Sequence, residues 1–125
     1  RLFPDMLPMT RQVQIACDHA KGASARLAGI EVPKFADEEK TFDDLKARIA
    51  KTLDFVNSVP AAKIDGSEDR AITVMAGPIE LKFKGQSYLT GYALPNFFFH
   101  VTTAYDILRH NGLDIGKRDF IGKIA

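Results

Sequence analysis

Residues 86–112, QSYLTGYALPNFFFHVTTAYDILRHNG, decide the fold. Leu89, Ala93, Phe97, Val101, Ala104 and Leu108 recur there at intervals of three and four, which gives a helix one apolar face. Gly112, just after His110-Asn111, is the expected left-handed cap. Pro95 lies inside the pattern, lacks a backbone N–H and crowds the preceding turn. A helix over 86–110 is therefore expected to kink or restart near 91–95.

Upstream of it the period changes to two. Ile72 and Val74, then Ile79, Leu81 and Phe83, alternate with Thr73, Glu80, Lys82 and Lys84, so 71–84 reads as a β-hairpin turning at Ala76-Gly77-Pro78. Further back, Val13, Ala16, Cys17, Ala20, Ser24 and Leu27 predict a helix over 9–28, ended by Gly29 and the Val32-Pro33 pair. Another is predicted over 41–58, opened by Thr41 with Asp44 three residues on, striped by Phe42, Leu45, Ile49, Leu53 and Val56, and stopped before Pro60. Lys46, Arg48 and Lys51 follow its first-turn acids in an order that suits the helix dipole. The tail from Leu113 is punctuated by glycine, and its Leu113, Ile115, Phe120 and Ile121 need something to pack on. Three amphipathic helices and one hairpin make an all-α helical bundle, a single domain over 1–125.

Composition narrows the function classes. With 125 residues, 46% of them hydrophobic, the chain suits one core, and 17 basic against 16 acidic residues leave no basic block for a phosphate backbone. Nucleic-acid and membrane partners are not expected, because the most apolar run, 92–101, is broken by Pro95 and Asn96 far short of a membrane span. The lone Cys17 cannot form an intrachain disulfide and suits a reducing, cytoplasmic setting. No signal-peptide pattern occurs. Arg1 followed by the apolar Leu2-Phe3-Pro4-Asp5-Met6-Leu7 reads as a piece of a longer or processed chain.

TRQVQIACD at 10–18, KGASARLAG at 21–29, PNFFFHVTTAYDILRHNG at 95–112 and GKRDFIG at 116–122 resemble, nearly end to end, the bacterial DUF1993 family of uncharacterised proteins. The resemblance implies an up-down four-helix bundle similar to the DinB/YfiT-like metalloenzymes, with a further N-terminal helix ahead of the segment matching Arg1. A bundle short of that helix leaves a groove of core residues, to be covered by the helix or by a partner.

DinB-like relatives often hold a divalent metal with three histidines, two of them at i, i+4 on one helix. This chain departs from that pattern: His100 has Ala104 four residues on and Asn96 four residues back, and His110 lies ten residues away. No metal site is therefore expected, and a divalent metal stays only as what the superfamily implies. His100, in the apolar row with Phe97, Ala104 and Ile107, is expected to be largely buried against the first helix, with a polar contact to Asp18 or a backbone group. Asp18 and His19 are its candidate companions, and Asn96 and Tyr105 are candidate polar contacts of the same small-molecule pocket. The plainer expectations are a core histidine at 100 and a solvated face at His19, beside Asp18 and Lys21.

Asp106 and His110 at i, i+4 read as a surface pair in the last turn. The segment 112–118 lacks the spacing and the Ser/Thr of a phosphate loop, and DGSED at 65–69 lacks that of an EF-hand. Phe97-Phe98-Phe99 spans most of a helix's circumference, which suits a core plus one contact with another chain. The sequence thus points to an oligomeric binding module, a homodimer in its simplest form, with a DinB-like enzyme carrying a degenerate histidine site as the alternative.

Overall fold

The structure is a computed structural model that describes residues 1–124. In chain order it has α1 (Met9–Ala28), α2 (Phe42–Ser58), α3 (Ala61–Ile64), β1 (Ala71–Ala76), β2 (Ile79–Lys84), α4 (Gly85–Tyr88), a π-helical turn (Leu89–Ala93), α5 (Leu94–His110) and α6 (Lys117–Ile121).

Local chemistry explains the ends. Gly29 takes φ 67° after α1, and the Ile30 N–H donates to the Ala25 carbonyl at 3.0 Å, so carbonyls of the last turn keep partners. At α2 the Thr41 hydroxyl accepts from the Asp44 N–H at 3.1 Å while the Asp44 carboxylate accepts from the Thr41 N–H at 2.9 Å, the reciprocal cap that the sequence signalled. The hairpin pairs Ala76 with Ile79 across Gly77-Pro78, with Gly77 at φ 60°. Pro95 sits in the first turn of α5, and just before it the Leu94 N–H reaches five residues back to the Leu89 carbonyl. The long helix is thus divided at the proline by a π-turn, which absorbs the missing donor without ending the rod.

α1 is the central helix, and both α2 and α5 pack on it. After α1 the chain returns along its length as an irregular strap, pinned where Arg11 meets Asp37 at 2.6 Å and Gln14 Nε2 donates to Glu39 at 2.7 Å. α2 then starts near the beginning of α1 and ends near its far end, where Ile64 packs on the cluster containing Leu27. It therefore runs in the direction of α1. α5 runs against both, since Arg26 meets Tyr88 at one end and Gln12 meets His100 at the other. A crossover strap thus replaces the up-down order expected for the first two helices, because 29–41 is long enough to span α1 in extended form.

The tightest core is not midway along the helices. Leu27, Ile72, Val74, Tyr88 and Ala93 are buried together where the end of α1 meets the hairpin and the π-turn, and Tyr88 is fully buried with its hydroxyl accepting from Arg26 at 3.1 Å. The stripe of α2 is only partly used. Leu45 is buried, but Ile49 is 41% and Leu53 55% exposed, and Phe42 is exposed too.

Candidate functional site

The exposed stripe of α2 faces a cleft of about 480 Å³. Its floor is the small-residue face of α1, Val13, Ala16, Cys17 and Ala20; Ile49, Leu53 and Val56 form one wall and Phe97, Val101 and Leu108 the other. Ile115 and Phe120, from the tail and α6, close one end, and Phe120 stands edge-on to Tyr105 at 5.8 Å. Ile115 therefore packs as expected and Phe120 does so in part, at 36% exposed, while Leu113 and Ile121 stay exposed. Cys17 is buried in the floor. Burial pushes its thiol pKa up, only partly offset by the neighbouring Thr52 side chain and the charge of Arg48.

A second cluster joins α1 to α5 and the π-turn. His100 is half-buried rather than largely buried, and its partner is Gln12, not Asp18: Nδ1 lies 2.7 Å from Gln12 Oε1. Because Oε1 only accepts, Nδ1 carries the proton and donates. The Gln12 amide is held the right way round by donating from Nε2 to the Leu7 carbonyl at 3.1 Å. The His19 ring stacks on His100 with centroids 6.0 Å apart and planes 14° apart, and meets Tyr92 edge-on at 5.7 Å. His19 is thus half-buried, and the solvated face expected for it is corrected. Burial lowers the pKa of both rings; at His19 the neighbouring His100 and Arg26 lower it further and Asp18 opposes them.

The remaining candidates are engaged elsewhere. Asp18 accepts from Lys21 Nζ and from Arg48 Nη2, each at 3.0 Å. Asn96 Nδ2 donates to the Tyr92 carbonyl at 2.7 Å, taking up an acceptor beside the proline. Tyr105 lines the cleft and reaches the Ile115 carbonyl at 3.4 Å. Only His19 and His100 of the five are brought together. Asp106 and His110 are both exposed, and no ion pair joins them among the described residues.

Sequence reasoning missed the buried polar residues. Gln12, Gln14, Lys21 and Arg48 are all buried, and Arg48 gathers Asp18, Asp37 and Glu39, each at 3.0 Å, under the strap. Read only as a charge whose order suits the helix dipole, Arg48 lies three residues after Leu45 and four before Thr52, on the buried face of α2. That spacing was the available signal.

The histidine pair does not fit the metal that the DinB resemblance implies. Two imidazoles supply at most two of the three or four protein ligands such a site needs, and near-parallel stacked rings send their nitrogen lone pairs along parallel planes rather than to one point. Among the described residues no three of His, Cys, Asp and Glu group as a metal site. No helix of the described chain is long and apolar enough to cross a membrane.

A solved structure of a DinB family member protein from Shewanella denitrificans is similar to the chain at 39% identity and a TM-score of 0.86, covering 99% of this chain and 70% of that one. No curated protein matches it. The model of the domain of unknown function DUF1993 matches residues 1–121, and the chain belongs to that family.

Proposed function

We propose that this chain is a non-catalytic, cytoplasmic binding module that self-associates through the apolar cleft between α2 and α5. The observation that carries this reading is the α2 stripe, a regular helical row whose Ile49 and Leu53 stand exposed beside a cleft walled by Phe97 and Val101. An apolar surface of that kind is stable when something covers it. The cleft runs beside α1 from Met9 to Ala20, a rise of about 16 Å, and combines a small-residue floor with bulky walls. That shape admits a helix of a second copy, and closed two-fold pairs are the commonest assemblies.

Light scattering on the chain tests this. A dimer that falls to a folded monomer in Leu53→Asp and in Val101→Asp is expected. A monomer at high concentration overturns the reading, as does a dimer indifferent to both substitutions. So does a longer form of the chain that stays monomeric with a further helix of its own in the cleft.

A further inference from the structure

The stacked imidazoles of His19 and His100 tie α1 to α5 at a point where neither ring makes an ion pair among the described residues. His100 is anchored on α1 by Gln12, and His19 is anchored on the π-turn by Tyr92. Two elements thus hold each other through rings that attract while neutral and repel when both carry protons. We propose that this stack is a pH-sensitive fastener, which holds the π-turn and the start of α5 against α1 at neutral pH and releases them in mild acid.

The surrounding charges favour release rather than rescue. From α1, Asp18 and Arg26 act on His19; from α5, His100 does, and from the π-turn Tyr92 contributes a ring edge without charge. Asp18, the only anion of the set, is already shared by Lys21 and Arg48. A proton on His19 gains something from Asp18, more than it loses to Arg26, but burial and the charge on His100 outweigh that gain. Burial disfavours the first proton on either ring, and the second also meets the charge of the first. The π-turn is the natural place for movement, since its five-residue hydrogen bond interrupts the regular helical ladder and Pro95 supplies no donor behind it.

The linkage has a fixed sign. Both folded values lie below that of a free histidine, so the unfolded chain binds protons more readily. The stability contributed by the neutral pair is fully present above about pH 6.5 and is lost as pH falls below it. This proposal does not depend on what covers the cleft.

The test follows the imidazole carbon shifts by NMR from about pH 8 to about pH 5, with amide exchange over the same range. Both rings are expected to titrate below the free value. In His19→Gln the His100 curve is expected to move up toward it, and in His100→Gln the His19 curve likewise. Exchange is expected to quicken in acid at Leu89–Ala93 and the start of α5, ahead of α2. Either ring titrating at the free value in the unsubstituted chain overturns the proposal, as does acid-induced exchange spread evenly over all helices. Should a variant fail to fold, the titration and exchange map of the unsubstituted chain decide alone.

Discussion

Arg48 Nη2 stands 3.0 Å from Asp18 Oδ1, a side chain 1% exposed on α2 meeting a carboxylate 41% exposed on α1. The same guanidinium donates to Glu39 at 3.0 Å and to the Ala36 carbonyl at 3.1 Å, so one buried cation joins two helices and the strap between them. Its Nε has no partner among the described residues. Replacing Arg48 by Met removes the cation and leaves three carboxylates facing one another. Urea denaturation is expected to show a loss of about 3 kcal/mol, toward the low end for a broken buried pair because Asp18 and Asp37 keep some water. A loss indistinguishable from zero would assign the strap's position to packing alone.

The carboxylates give that network an acid limit. Burial tends to raise the Glu39 pKa, but hydrogen bonds from Gln14, its own backbone and Arg48 bring it below the ordinary value; at Asp44 the Lys40 and Thr41 N–H groups do the same. Both groups therefore add stability that is present above their unfolded values, near pH 4, and is lost as pH falls through the lower folded ones. Thermal unfolding in acid is expected to show this loss, and Glu39→Gln to flatten it. An unaltered acid limb in that variant would assign the loss to other groups.

His100→Phe keeps a ring of similar size but strands the Gln12 Oε1, on a residue only 1% exposed. A cost of about 1–3 kcal/mol at neutral pH is expected by denaturant titration. The double variant with Gln12→Leu should recover part of it, because no unpaired acceptor then remains.

Two glycines in one continuous segment should respond oppositely to alanine. A Cβ on Gly85 would collide with the Ser67 carbonyl oxygen, and the next N–H, of Gln86, donates to Glu68 at 2.9 Å, so the backbone has no room to retreat. Gly85→Ala is expected to cost about 1–3 kcal/mol. At Gly91 a Cβ meets nothing within 4 Å, and Gly91→Ala should gain up to about 1 kcal/mol through reduced freedom of the unfolded chain. Melting temperatures of the two variants check both signs.

Cys17 should behave as a buried hydrophobe. With its pKa raised by burial, it is expected to react with a thiol reagent far more slowly than in urea. Labelling at equal rates in both conditions would contradict its place in the cleft floor.

The sequence by itself determined the long helices and the hairpin, because their signals are local, but not the short helices α3 and α6. Alternation marked 71–84 as the hairpin, Thr41 with Asp44 marked the start of α2, and Pro95 marked the break in the long helix. The family too was legible, in strings such as PNFFFHVTTAYDILRHNG at 95–112. Only the tertiary structure decided that α2 runs with α1, since 29–41 carries no periodicity and its course depends on Arg11, Gln14 and Arg48 meeting acids of the strap. It also decided the partner of His100. Asp18 and Gln12 both lie on α1, six residues apart, and which of them faces α5 depends on the rotation of one helix about another. An apolar stripe states that a helix face wants cover, but Leu53 is exposed and Leu45 buried on the same stripe because cover comes from residues distant in the chain.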